Sequence, residues 1–231
     1  MPESGKIESL FDDIAPKYDG LNKFMSFGLD RVWRRKLVRA LQGADVNTVL
    51  DVATGTADVA VSLARAGYSV TGVDISEQML QIGRKKVAAQ GLEPQVTLSR
   101  ANAEALPFAT GAFDAATVAF GVRNFENLNA GLCEMCRVLK NGGRIVVLEL
   151  SYPDNPVLLA LYKIYSLHVI PFVCGAVSGN VTAYRYLPKS VLQFPKSEAF
   201  MTILRASGFE NVKEFSFSFG VCRMYVAEKI S

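Results

Sequence analysis

The stretch Thr48-Val-Leu-Asp-Val-Ala53, running into Thr54-Gly55-Thr56 and then, from Asp58, into a helical pattern, decides the fold. A short β-branched apolar run that ends on a glycine turn and hands over to a helix reads as a buried strand entering a tight connection. The unit recurs. Ser69-Val-Thr-Gly-Val-Asp74 gives a second strand, and Ser76 before Glu77-Gln78-Met79 opens a helix that runs to about Gln90 and ends at Gly91. Gln95 to Arg100 supplies a third strand and Phe113 to Phe120 a fourth. Glu126 to Leu139 reads as a helix, and Gly143 to Leu150 as a fifth strand announced by Asn141-Gly142-Gly143. Parallel strands need crossover connections, so this alternation predicts an α/β fold with a mostly parallel sheet and helices on both faces.

Working outward from that core, residues 1–46 read as N-terminal helices covering one end of the sheet, and 47–150 as the cofactor-binding core. Residues 151–195 are aromatic and apolar with prolines at 153, 156, 171, 188 and 195, which suits a helical lid inserted before the last strands. Residues 196–231 give a helix over Ser197 to Ser207 and two strands, Phe209 to Phe217 and Val221 to Glu228, expected to be antiparallel. The expectation is a single domain over 1–231.

Composition narrows the function class. Twenty-five basic and 22 acidic side chains leave a formal charge of +3, too mild a balance for a dedicated nucleic-acid binder. The densest basic cluster, Arg31, Arg34, Arg35, Lys36 and Arg39, shares a helical segment with Trp33, Leu37, Val38 and Leu41. It reads as a solvated helix face or as a contact for anionic lipid headgroups. The start, Met1-Pro-Glu-Ser, lacks the regions of a signal peptide, and with only four cysteines (Cys133, Cys136, Cys174, Cys222) a cytoplasmic, reducing location is expected. Cys133 and Cys136 form a C-x-x-C inside a helical pattern. With His168 the sole histidine, too few ligands remain to close a metal site. Val157 to Val177 is apolar and nearly long enough to span a bilayer, but Lys163, His168 and Pro171 interrupt it and Tyr162, Tyr165 and Ser166 add polar tips. The reading adopted is a helix packed over an apolar pocket.

In an open parallel sheet, ligands bind beyond the carboxyl ends of the strands where strand order reverses. The residues there form a consistent set. Gly55 lets the backbone approach a ligand, and Thr56 offers a hydroxyl and an amide. Asp74 can accept both hydroxyls of a ribose, and Asn102-Ala103 is placed for an adenine edge. A dinucleotide fingerprint needs three glycines to seat a pyrophosphate, whereas Gly55 is followed by Thr56, Ala57 and an aspartate that repels phosphate. S-adenosylmethionine carries no phosphate but a sulfonium and an ammonium, so Asp51 and Asp58 near that turn become favourable.

Longer motifs carry a resemblance. Phe11-Asp-Asp-Ile-Ala-Pro-Lys-Tyr-Asp19, Leu29-Asp-Arg-Val-Trp-Arg34, Asn102-Ala-Glu-Ala-Leu-Pro-Phe108, Phe120-Gly-Val-Arg-Asn124, Arg137-Val-Leu-Lys-Asn-Gly-Gly-Arg144 and Tyr184-Arg-Tyr-Leu-Pro-Lys-Ser190 span nearly the whole chain. In these the sequence resembles the quinone-biosynthesis C-methyltransferases of the menaquinone and ubiquinone pathways, closest to demethylmenaquinone methyltransferases. The resemblance implies a class I methyltransferase, Rossmann-like fold with a seven-stranded sheet. It also implies S-adenosylmethionine as donor, a lipophilic polyprenyl quinol as acceptor, and cofactor contacts at Thr56, Asp74, Asn102 and Ala103. Two positions depart from the family pattern: Ala57 stands where glycine is usual, and Ala119 where serine or glycine often stands.

Methyl transfer to carbon needs orientation, exclusion of water and a phenolate held beside the ring. Arg123 is the candidate to hold that anion, with Asn124 orienting it, and His168 is a candidate base because histidine titrates near neutrality. Tyr184 and Arg185 are expected to close the lid over substrate, and Tyr18 to cover the cofactor or pack. A greasy tail needs a channel or an opening toward the membrane, so peripheral contact with the inner face of the cell membrane accompanies the cytoplasmic expectation. Oligomeric state is not legible.

Overall fold

The computed structural model describes residues 4–43, 45–173 and 181–230, and the side chains of residue 4 and of 181–184 lie outside that description. Three helices open the chain: α1 (Ser4–Ile14), α2 (Tyr18–Met25) and α3 (Asp30–Ala40). The alternating core follows as β1 (Thr48–Val52), α4 (Asp58–Arg65), β2 (Ser69–Asp74), α5 (Glu77–Ala88), β3 (Val96–Arg100), β4 (Phe113–Ala119), α6 (Leu128–Val138) and β5 (Leu139–Leu150). Next come α7 (Pro156–Ile164), a π turn (Tyr165–Val169), α8 (Val181–Gln193), α9 (Glu198–Ala206), β6 (Phe209–Phe217) and β7 (Cys222–Lys229).

The seven strands form one sheet in the order β3-β2-β1-β4-β5-β7-β6. The first five are parallel, and β7 runs antiparallel to both β5 and β6. Chain direction across the sheet therefore switches between β1 and β4, the place where a crevice opens at the carboxyl edge. One apolar layer, with Leu132 and Met135 of α6 and Phe200 of α9, packs on one face, and Leu37 of α3 and Leu63 of α4 pack on the other.

The expected boundaries are met to within a few residues, with one exception at β5. Asn141-Gly142-Gly143 does not precede this strand but lies inside it. Pairing with β4 jumps from Phe113↔Leu139 to Ala115↔Arg144, and Gly142 at φ +70 absorbs the extra residues as a bulge.

The apolar segment after β5 is helical from Pro156 to Val173, while residues 174–177 of the expected helix, with Cys174, lie outside the described residues. Its packing is one-sided. Tyr162, Tyr165, Ser166 and Ile170 face inward onto a cavity, whereas Val157, Leu161, Ile164 and Phe172 are exposed.

Candidate active site: two cavities meeting at Phe120

Phe120-Gly121-Val122-Arg123-Asn124 turns sharply off the end of β4. Phe120 takes φ +61, outside the comfortable range for a bulky residue, and its amide donates to Leu148 O at 2.7 Å. Gly121 is required by close approach, because a Cβ there would lie 2.5 Å from that of Ala53. The Phe120 ring then stands between two cavities as a shared wall, together with Phe11 and Tyr18.

The first cavity sits at the ends of β1, β2 and β4. Asp74 Oδ2 accepts from Gly55 N at 2.8 Å and Oδ1 from Ser76 N at 2.9 Å, which fixes the carboxylate at the mouth of the crevice. Burial raises the Asp74 pKa, opposed by the backbone amides of Ser76, Gly55 and Ile75. Asn102, exposed at the cavity mouth, accepts from Glu104 N at 2.9 Å, with Ala103 beside it. The charged side chains among the described lining residues are Asp74, Glu104 and Glu126, with no lysine or arginine. Phe11, Met79 and Phe125 supply flat apolar walls. Such a donor set fits a nucleoside that carries positive charge and no phosphate, and Asp74 and Asn102 are the side chains that would hold its ribose and base.

Of the residues expected around this cofactor, Gly55, Asp74, Asn102 and Ala103 line the cavity, and Asp51 and Thr56 do not. Thr56 donates to Asp19 Oδ1 at 2.6 Å and accepts from Lys86 Nζ at 3.1 Å, tying α2 to the glycine turn. Asp51 is sealed beneath the sheet edge by the hydroxyls of Thr54 (2.6 Å) and Thr117 (2.7 Å), and burial pushes its pKa up to about 6. The favourable acidity expected of Asp58 is also spent elsewhere, on Arg34 at 2.8 Å and on Lys86. Negative charge reaches the cavity from Asp74, Glu104 and Glu126 instead. Ala57 takes φ +64, the left-handed conformation a glycine adopts freely, so the turn keeps its shape despite the substitution. Ala119 lines the cavity without a polar atom to offer.

The second cavity, of about 350 Å³, lies within the size range of small-molecule sites and is lined mainly by aromatic and aliphatic side chains from α2, α3, α7, the π turn and α8. Arg123 stands in its wall. The guanidinium is buried, with its Nη1 donating to Glu149 Oε1 at 2.7 Å and to Phe120 O, and its Nε to Ser190 Oγ at 3.3 Å. Burial is the largest single influence and opposes its charge, but the Glu149 carboxylate, Tyr18 and Tyr186 together outweigh it, so the Arg123 pKa rises above its ordinary value. Burial raises the pKa of the neighbouring phenols Tyr18 and Tyr186, and that of Tyr162 to about 12. These phenols are therefore proton donors at neutral pH.

Asn124 does not orient Arg123, as the sequence suggested. It faces the first cavity, and its Oδ1 accepts from Tyr186 OH at 2.9 Å. The lid residues are likewise displaced along α8. Arg185 is exposed and lines neither cavity, and the side chain of Tyr184 lies outside the described ones. Tyr186 and Ser190, one helical turn apart, make the contacts. His168 is on the exposed face of the π turn and lines neither cavity, so the geometry does not bring it to the ring.

Glu149 was missed, although a lone acid in Ile145-Val-Val-Leu-Glu-Leu150 is a signal that a buried charge needs a partner. Tyr186 and Ser190 were missed because nothing in Tyr184 to Ser190 marks which face of the helix turns inward.

The ubiE/COQ5 methyltransferase family model matches residues 2–229. The chain belongs to the ubiE/COQ5 methyltransferase family. This ubiE/COQ5 family member is 45% identical to the ubiquinone/menaquinone biosynthesis C-methyltransferase UbiE of Geotalea uraniireducens, over 99% of both chains. It is 42% identical to a demethylmenaquinone methyltransferase of Bacteroides fragilis, over 98% of this chain and 94% of the other. Among solved structures, a SAM-dependent methyltransferase from Thermotoga maritima superposes with a TM-score of 0.66 at 20% identity, over 96% and 99% of the two chains. The [4+2]-cyclase SpnF superposes at 0.74 with 19% identity, over 99% and 97%. The last comparison shows that the fold alone does not select the chemistry.

Proposed function

We propose that this methyltransferase transfers the methyl group of S-adenosylmethionine to a ring carbon of a polyprenyl hydroquinone, demethylmenaquinol giving menaquinol. The carrying observation is the juncture at Phe120, where a cation-free acidic cavity abuts an apolar one with a fixed guanidinium in its wall. The names of the relatives support the choice of a quinol acceptor and of menaquinone biosynthesis.

When bound, the cofactor supplies an electrophilic methyl on a sulfonium centre. Asp74 and Asn102 would hold its nucleoside in the first cavity, beside the wall that the two cavities share. There Arg123 stabilises the ring oxygen as an anion once the hydroxyl proton has left to solvent, which makes the adjacent carbon nucleophilic. As that carbon gains the methyl it sheds its own hydrogen as a proton and the ring regains aromaticity, while Glu149 with Ser190 keeps the guanidinium in place. Tyr18 and Tyr162 hold their protons and donate to ring oxygens, Tyr186 being committed to Asn124 Oδ1, and the surrounding aromatic side chains exclude water.

The test is incubation of the folded protein with methyl-labelled S-adenosylmethionine and chemically reduced demethylmenaquinone, with a ubiquinone precursor in parallel. Label is expected in menaquinol. Label in neither quinone product defeats the reading, and label only in the ubiquinone precursor moves the enzyme to that pathway.

A further inference from the structure

The exposed cations at the start of α3 and the exposed side of the α7 helix are not used by the chemistry above, and the chain between α2 and α3 packs against the π turn that follows α7. Phe27 stacks on Tyr165 with ring centroids 5.8 Å apart, and Tyr165 OH donates to Met25 O at 3.1 Å, which joins the segment after α2 to the π turn. Met25, Phe27 and Leu29 on one side and Tyr162, Tyr165 and Ile170 on the other line the same cavity, so this seam is its rim.

Around the rim the protein leaves large apolar side chains in water. Phe24 is 51% exposed, Phe27 76%, Leu161 60%, Ile164 58% and Phe172 80%. Only 17% of the helix Pro156–Val173 is buried. The charges interleaved with them have one sign. Between residues 21 and 40 the exposed charges on this side are Lys23, Arg31 and Arg35, Lys36 and Arg39 turning instead to a separate groove with Arg144 and Phe217, and the single acid, Asp30, is buried beneath Ser26 and Arg34. Between 156 and 173 there is no acid, and Lys163 is exposed. The nearest preceding acid, Asp154, is held by Lys196 and Arg223.

We infer that this face docks onto an anionic lipid bilayer, with the Phe24, Phe27, Ile164 and Phe172 side chains in the acyl boundary and the cations at the headgroups, so that the quinol passes from the membrane into the cavity without crossing water. A helix that is apolar on one side and positive at its flanks binds in the plane of the interface rather than across it. A second copy of the chain is disfavoured as occupant, because self-association would bring Lys23, Arg31, Arg35 and Lys163 of each copy together without an acid to meet them. The route rests on the quinol reading, and the docking does not.

The experiment is flotation of the full chain with phosphatidylcholine vesicles and with vesicles containing about 30% phosphatidylglycerol, at low and high salt. Partition is expected to favour the anionic vesicles and to weaken with salt. R31E/R35E is expected to lower it tenfold or more, since each cation near such a surface contributes a several-fold factor. L161S/I164S/F172S, which touches neither cavity wall, is expected to reduce it on both vesicle types. These two variants are then assayed on long-tailed quinol in vesicles and on a short-tailed, water-soluble quinol, where loss on the first with retention on the second supports membrane entry. Equal partition onto both vesicle types, or partition unmoved by both variants, overturns the inference, as does a dimer in solution that L161S/I164S/F172S dissolves. Resistance to alkaline carbonate extraction overturns it in favour of a spanning helix. Wild type inactive on both quinols, with binding intact, overturns the proposed function and leaves the docking face standing.

Discussion

The Glu149 carboxylate grips Arg123 twice, accepting from its backbone amide at 3.2 Å and from its Nη1 at 2.7 Å, and both side chains are almost wholly buried. The pair joins the end of β5 to the turn after β4, so the sheet positions the guanidinium, with Ser190 of α8 as a second hold. Breaking a buried pair strands a charge, at a cost of about 3–5 kcal/mol. E149A should therefore lower the denaturant midpoint markedly and reduce turnover, while E149A/R123A should recover part of the stability and none of the activity. Additive losses of stability in the double variant would contradict the pairing; chemical denaturation of the four proteins measures it.

In the proposed function, the cofactor side is assigned to Asp74. D74N keeps one acceptor for Gly55 N or Ser76 N but loses the charge that faces a cationic nucleoside, and it leaves Arg123 untouched. Affinity for S-adenosylmethionine should fall on the order of 10- to 100-fold, corresponding to a loss of about 1–3 kcal/mol. Thr56, whose oxygen is already committed to Asp19, should behave differently: T56V is expected to lower thermal stability while changing cofactor affinity little. Calorimetric titration together with a melting curve separates the two outcomes.

The fold was legible because strands and glycine turns leave local marks. Thr48 to Val52, Ser69 to Asp74 and the turns after them are recognisable from a few consecutive residues. The site was legible only where a residue acts at the end of a strand, as Asp74 and Asn102 do. The direction of a long side chain was not. Arg123 and Asn124 are adjacent in the chain yet face different cavities, and Asp58, acidic and close to the glycine turn, is neutralised by Arg34 from a helix 24 residues earlier. Such pairings depend on how α3 and α8 are laid against the sheet, which no short window of sequence contains.

The absence of histidine from either cavity wall fixes a pH dependence. With Arg123 holding its charge and the surrounding phenols keeping their protons, the ionisation that limits the chemical step is that of the ring hydroxyl, so the single-turnover rate should rise with pH through its titration. H168A should reproduce the wild-type rate and profile. A limb near neutral pH that disappears in H168A would return the base role to that residue.

Asp51 predicts a pH effect on stability of the less common sign. Burial holds its folded pKa at about 6 against an ordinary value of 3.8, so between those limits the folded protein carries a proton that the unfolded chain has released. This group alone therefore makes the fold more stable as pH falls from above 6 towards 4, by roughly 3 kcal/mol for a difference of about two in pKa. Asp154 and Glu228, whose pKa values are lowered by hydrogen bonds to Lys196 and Asn211 first, pull the other way. The measurement is thus a comparison: the difference in unfolding free energy between D51N and wild type should change across pH 4–6, and a pH-independent difference would exclude an ionising Asp51.

The central claim, that a guanidinium in the wall of the apolar cavity drives methyl transfer without taking part in cofactor binding, is tested most directly by R123A. Side by side with wild type, it should bind S-adenosylmethionine with unchanged affinity in calorimetry and methylate demethylmenaquinol roughly 10²- to 10³-fold more slowly, the loss typical of removing one stabiliser of a developing oxyanion. Wild-type turnover in folded R123A, or a loss explained entirely by weakened cofactor binding, would contradict it.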